Sequence, residues 1–224
     1  MKTITKTLVA AGLAGATFAA MPATAQVNGI ATSSPEAVIV RAAARQTGYQ
    51  QIGQTYSAQI QQLNQLRQQN QQAQQSLDTN GDGQLTEAEV NANPSAVQQI
   101  QQREQQIAQT SQPIVLAQAY VIEQLVNDYQ NAQNQVIQSK GIQMMLSPDA
   151  IQYAPDNVDV TTDIVAALDA RIPTVQTTPP AGWQPRQQTL QLQQAVQQIL
   201  LAAAQQQAVQ QQQQQATQQQ PSGR

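Results

Sequence analysis

The strongest constraint on this chain is a seven-residue repeat. Tyr49, Tyr56, Leu63, Asn70 and Leu77 lie seven apart, with Ile52, Gln59, Leu66 and Ala73 interleaved at a second seam position. This spacing marks a helix that buries a narrow apolar stripe against another helix. The other positions there are mostly Gln, which favours helix and stays polar without adding charge. A helix of about 28 residues would extend roughly 42 Å. Asn93-Pro94 predicts a second start, with Asn as cap and Pro at the first helical position. Ile100, Ile107, Ile114 and Val121 are again seven apart, and Leu125, Tyr129, Ala132 and Val136 continue the stripe towards Gly141. Pro113 predicts a kink, because Pro removes a donor and crowds the preceding turn. Two such seams joined by a short polar connection predict an antiparallel helical hairpin over residues 49–140. Asn70 has two readings, a polar seam residue that fixes register or a solvent-exposed side chain.

The rest of the chain supplies little else that could form a large core. Of 224 residues 53 are Gln, 10% are charged and 3% aromatic. Absence of His and Cys excludes Ser-His and Cys-His nucleophilic sites, His- or Cys-ligated zinc, and disulfides within one chain. No Gly-x4-Gly-Lys-Ser/Thr phosphate loop occurs. The carboxylates concentrate in a polar turn and in the stretch 149–169, where turns and helix caps account for them, so the chain is read as a non-enzyme.

Residues 1–25 are predicted to be a secretory signal peptide. Lys2 and Lys6 precede a short apolar run, and Ala23-Thr24-Ala25 supplies the small-x-small pattern, placing cleavage near Ala25. No later stretch is long and apolar enough to span a bilayer. Removing Lys2 and Lys6 from 10 basic residues leaves 8 against 13 acidic ones, a net charge of −5. That balance argues against nucleic acid as a partner.

Around the hairpin, residues 36–48 and 141–172 are expected to form a small β-containing body, with 26–35 as a linker. The expected strands are Ala37-Val38-Ile39-Val40, Ile142 to Leu146 and Ala150 to Tyr153, with Thr47-Gly48 breaking a turn of helix. Asp159 to Ala170 is expected to be a helix with Ile164, Val165, Leu168 and Ile172 on one face. A body this small buries too little surface to stand comfortably alone, so oligomerisation is expected. Residues 173–186 read as a Pro-rich extended linker holding Trp183, which either packs back on the body, the favoured reading, or serves as a peptide-like docking point. Residues 187–224 read as a Gln-rich tail, amphipathic helix first, then disordered from Gln205 to Gln220. The fold class is thus mainly α: a long antiparallel hairpin inserted into a small sheet-containing oligomerisation body.

One segment promises site chemistry. Asp78-Thr79-Asn80-Gly81-Asp82-Gly83-Gln84-Leu85-Thr86-Glu87-Ala88-Glu89 fits the twelve-residue EF-hand loop. Asp78, Asn80 and Asp82 would offer side-chain oxygens, Gln84 its carbonyl, Thr86 an oxygen directly or through water, and Glu89 two oxygens, with Leu85 pointing inward. The expected ligand is a weakly bound, structural Ca2+. The competing reading is a polar turn, since Asn, Asp and Gly dominate turns.

The segment Ile142 to Leu168 resembles the OmpH/Skp family of periplasmic chaperones. Asp149, Ala150, Ile151, Tyr153, Asp159, Thr162, Asp163, Ile164 and Leu168 fit its pattern of apolar strand, acidic turn, Tyr-ended apolar pair and amphipathic helix. The hairpin matches in length and periodicity. The resemblance implies a homotrimer whose hairpins surround a cavity and hold unfolded outer-membrane β-barrel proteins in the periplasm without ATP. This chain departs from basic members of the family in its net charge and its glutamine-coated arms. The alternative is an exported coiled-coil scaffold stabilised by Ca2+.

Overall fold

The computed structural model describes residues 29–218, and side-chain surroundings as far as Gln214. The expected signal peptide lies outside the described residues. Among the described residues no helix is long and apolar enough to cross a membrane. The elements run β1 Ile30–Thr32, α1 Pro35–Arg41, α2 Ala43–Thr55, α3 Ser57–Leu77, α4 Glu87–Ala92, α5 Pro94–Lys140, β2 Met144–Leu146, α6 Thr161–Arg171 and α7 Gln187–Gln218. The fold is mainly helical, with one small sheet where the hairpin joins its body.

The hairpin forms as the heptads require. Leu63, Leu66, Asn70 and Leu77 of α3 are buried against α5, and Ile52 of α2 clusters with Leu63, Ile114, Ala117 and Val121. Position numbers rise on one arm as they fall on the other, so the arms are antiparallel. The first arm is not one helix: Tyr56, at φ −104 and ψ 22, separates α2 from α3. α5 spans 47 residues, which is about 70 Å at 1.5 Å per residue. Pro113 lies within α5 and does not end it. Gly141, at φ +63, terminates the helix in the left-handed conformation that glycine adopts without a Cβ clash.

The body departs from the expected strands in three places. Residues 37–40 are helical, in α1. Ser34 accepts a hydrogen bond from Ala37 N, Pro35 occupies the first turn and Glu36 follows it, and these start signals outweigh the strand preference of Val38-Ile39-Val40. Val38 and Ile39 then reach the core from one helix face. The strand sits earlier, at β1, inside the segment expected to be linker. Thr47-Gly48 does not break the chain either. Gly48 is an interior residue of α2, where an added Cβ would lie 3.0 Å from Val175 Cγ2 and 3.2 Å from Val121 Cγ2. Glycine is there for close approach, not for a turn. Residues 150–153 form no strand; a 3-10 turn at Pro148–Ala150 leads into irregular chain in which Tyr153 is 87% exposed.

β1 and β2 pair in parallel, Ile30 with Met144, Ala31 with Met145 and Thr32 with Leu146. The connection between them is the entire hairpin. Thr32 also forms a parallel bridge to Asp159, and its Oγ1 donates to Leu146 O at 3.0 Å. Asp159 then caps α6 by accepting from Thr161 N at 2.8 Å, close to the expected helix start. Ile164 and Leu168 bury beneath it, with Val165 and Ile172 at the margin. One cluster of Ala31, Val38, Ile39, Ile122, Leu125, Ala132, Val136, Val160, Ile164 and Leu168 ties sheet, α1, α5 and α6 together.

The tail forms the expected helix at its start, but α7 runs on through the stretch expected to be disordered as far as Gln218; the rest of that stretch lies outside the described residues. Gln and Ala both favour helix, and Thr189, Gln193 and Val196 anchor its first turns by burial. From Leu201 to Gln214 every residue is exposed.

Candidate functional site

The expected site residues all fall at the hairpin tip, between α3 and α5. Asp78 Oδ1 accepts from Gly81 N at 2.8 Å, and its Oδ2 from Gly83 N at 2.8 Å. Asn80 Oδ1 accepts from Asp82 N at 2.9 Å, and Asp82 Oδ1 from Gln84 N at 2.7 Å. These are the side-chain-to-backbone bonds by which Asp and Asn build turns. Gly81 and Gly83, at φ +71 and +79, supply the left-handed positions.

Glu89 acts as the hub of the tip. Its Oε1 accepts from Thr79 N at 2.8 Å, Thr79 Oγ1 at 2.9 Å and Asn80 N at 3.3 Å. Its Oε2 accepts from Thr86 N at 3.0 Å and Thr86 Oγ1 at 2.8 Å. The Thr86 backbone and hydroxyl, then the Thr79 hydroxyl, hold this carboxyl down to about 2, because donors favour the charged form. One carboxylate therefore staples the loop entry at Thr79 to the start of α4 at Thr86. The Thr86-x-x-Glu89 capping box was legible as a start signal for α4 and accounts for both residues without a cation.

In this conformation the loop is not a prepared cation cage. Glu89, the expected two-oxygen ligand, faces N–H and O–H donors with both oxygens. Among the described residues no three acidic side chains converge where a metal could sit. Gln84 and Thr86 are exposed, and Leu85 is 41% exposed where an inward apolar residue was expected.

Further down the arm, Asn70 occupies the seam and is not a solvent-exposed side chain. It is buried, its Nδ2 donates to Glu104 Oε1 at 2.8 Å, and its Oδ1 accepts from Arg103 Nε at 2.6 Å. Both ends of one amide are satisfied by adjacent, oppositely charged residues of the other arm. A shift in register would bury the amide unpaired. Arg103 and Glu104 were missed in the sequence, although they are the only neighbouring charges in α5.

The same signal marks the other joints. α5 carries Arg103, Glu104, Glu123, Asp128 and Lys140, and each has a partner. Glu123 meets Arg186 and Thr189, Asp128 meets Arg171, and Lys140 Nζ lies 2.9 Å from Asp163. Asp128 sits below the ordinary carboxylate range, chiefly through its hydrogen bond to Arg171. Where arm meets body, Tyr49 lies under the Arg45 guanidinium at 5.2 Å, and burial pushes its phenol up to about 12. The Tyr49 hydroxyl is buried without a partner. Trp183 packs edge-on against Tyr120 with centroids 5.0 Å apart, the favoured of its two readings.

At the opposite end from the tip, β2 pairs among the described residues with β1 on one side only, and Ile30 and Met144 remain 45% and 53% exposed. An open edge flanked by exposed apolar residues is a template for another strand.

No curated protein matches the chain. A solved structure of an OmpH-like protein from Caulobacter crescentus CB15 aligns at 20% identity with a TM-score of 0.42, covering 69% of this chain and 93% of that one. The family described as outer membrane protein (OmpH-like) matches residues 29–168, from the start of β1 through the burial face of α6. That span takes in the sheet, the complete hairpin and its tip, and on it the chain belongs to the OmpH-like family.

Proposed function

We propose that this protein is an ATP-independent holdase chaperone of the periplasm. In this reading it is a homotrimer that keeps unfolded outer-membrane β-barrel proteins in the space between its hairpins. Family membership supports the chaperone class. The observation that carries the reading is the pairing of an arm about 70 Å long with an open sheet edge at its base. The arm offers a long glutamine surface of low charge, suited to many weak contacts that sum at high local concentration. The edge of β2, with Ile30 and Met144 exposed on the sheet, offers the place where three copies would meet. No catalytic step is assigned.

Two measurements test this. Light scattering of the mature protein should give three times the chain mass, and a monomer would remove the shared cavity. A urea-unfolded outer-membrane β-barrel protein diluted into near-stoichiometric trimer should stay soluble; unchanged aggregation would sink the holdase reading and favour a scaffold.

The Ca2+ reading of loop 78–89 is a separate proposal. For Ca2+ to bind, Glu89 would exchange its donors from Thr79, Asn80 and Thr86 for the ion, so affinity would be weak. Calorimetry at millimolar Ca2+ should show heat in the parent protein and none in Asp78→Ala or Glu89→Ala. Silence in the parent would end it.

A further inference from the structure

Tyr120, Glu123, Gln124 and Asn127 of α5 lie at i, i+3, i+4 and i+7, along one face of the helix. That face holds the chain between α6 and α7 through three kinds of contact. The Gln124 amide pairs with the backbone of Gln176 in both directions: its Nε2 donates to Gln176 O at 2.8 Å, and its Oε1 accepts from Gln176 N at 2.9 Å. Such pairing reads an extended backbone whatever its side chain, as a neighbouring strand would. Tyr120 receives the Trp183 ring edge-on at 5.0 Å. Glu123, with a side chain only 12% exposed, accepts from Arg186 N at 3.2 Å and Thr189 Oγ1 at 2.8 Å, and Arg186 Nε lies 3.4 Å away. Asn127 Oδ1 accepts from Arg186 Nη2.

The seat and its occupant stand on opposite sides of the family-match boundary. All four seat residues fall within the family-matched span, which ends at 168, and the occupant lies wholly beyond it. The occupant forms no regular helix or strand before α7; Val175 at one end packs against both core clusters and Thr189 at the other is fully buried, but the side chains from 176 to 188 between these anchors are exposed or half-exposed. Segments with few buried apolar contacts open at small free-energy cost.

We propose that this α5 face is a binding seat for an extended polypeptide carrying an aromatic residue followed three positions later by a basic one. Residues 173–189 fill it in cis as a displaceable cover. This rests on the holdase reading for its natural partner, an unfolded client chain. The chemistry of the seat follows from the cover: an amide ladder for backbone, a ring edge for the aromatic, and a nearly buried carboxylate for the cation. A cover tethered at both ends competes at high effective concentration, so it suppresses binding in trans until it is weakened.

The test uses the full mature chain and a dye-labelled peptide of residues 173–189, followed by fluorescence anisotropy. Trp183→Ala weakens the cover and leaves the seat whole, so it should bind the peptide about tenfold more tightly than the parent, as expected when a cis competitor is weakened. Tyr120→Ala also loosens the cover but damages the seat, and should bind no better than the parent. Trp183 is the only Trp, so its emission in the parent reports the cover directly, and excess unlabelled peptide carrying Phe at that position should shift it to the red. Arg186→Ala replaces Trp183→Ala if the latter fails to fold. Equal affinity in parent and cover variant, or equal gain in Tyr120→Ala, would reduce the contact to a fixed structural clamp. Neither readout involves client aggregation, so failure here is distinct from failure of the holdase reading.

Discussion

α5 is one helix with two different lives. From Ile114 towards Lys140 it carries all nine of its buried residues, while from Pro94 to Pro113 it has none. The inner half meets α6 at Asp128, α7 at Glu123 and Val115, and Ile52 of α2 through Ile114 and Val121, whereas the outer half meets α3 at Arg103 and Glu104. A helix with neighbours on several sides buries whole side chains, but a two-helix seam leaves each flank in water. The outer arm therefore relies on α3 residues set into the seam, on the polar layer at Asn70 and on the tip staple. Length is cheap for such an arm in apolar residues, but its stability per turn is low.

This contrast can be broken first by core truncation. Leu125→Ala, in the inner half, should cost about 2–5 kcal/mol in chemical denaturation, the range for a fully buried Leu. Ile107→Ala, on the same helix but half-buried in the outer seam, should cost well under half of that. Equal losses would mean that the two halves are not distinct. Next comes the polar layer: Asn70→Ala removes a buried amide and both its bonds, and, since Glu104 is exposed and Arg103 half-exposed, should cost about 1 kcal/mol. Hydrogen exchange should show faster exchange in the outer arm and unchanged protection near Leu125. At the junction of the halves the sign reverses. Tyr49→Phe deletes a buried hydroxyl with no partner, so stability should hold or rise by up to about 1 kcal/mol.

The smallest global effect belongs to the tip. The Glu89 carboxyl lies at about 2 when folded against an ordinary 4.5, so its unfolded form binds protons more readily. Its stabilisation is complete above 4.5 and fades as pH falls through about 2. Amide exchange at Thr79 and Asn80, corrected for intrinsic rates, should stay protected at pH 5 and lose protection towards pH 2. Protection that is flat across that window would remove the staple.

Periodic features were legible in the sequence because burial on a helix repeats. The seam from Tyr49 to Leu77, the stripe of α5 and the face of α6 all follow from spacing. Features set by contacts between distant segments were not. Gly48 was read as a breaker because nothing local announces that Val121 and Val175 press against it. Val38-Ile39-Val40 was read as a strand because β-branched residues outvoted the start signal of Ser34-Pro35-Glu36. The tail was read as disordered from its composition, although Gln and Ala also make good helix. At the tip, each of the six expected ligands was found in one loop, but the pattern could not show that Glu89 is already committed to Thr79 and Thr86. The partners of Asn70 stand more than thirty residues away, yet in a chain so poor in charge Arg103-Glu104 was itself a clue.

The parallel pairing of Ile30 with Met144 has a consequence for the order in which the molecule assembles. It closes a loop of 114 residues, and ends so far apart meet slowly unless something between them shortens the path. The hairpin is that shortcut, because its contacts grow outward and inward from a tip where the partners are near in sequence. Once its arms zip, residues 30 and 144 stand side by side and the sheet can close. Loop-closure entropy thus favours an order in which the sheet closes after the arms have paired, because the sheet partners are 114 positions apart in sequence.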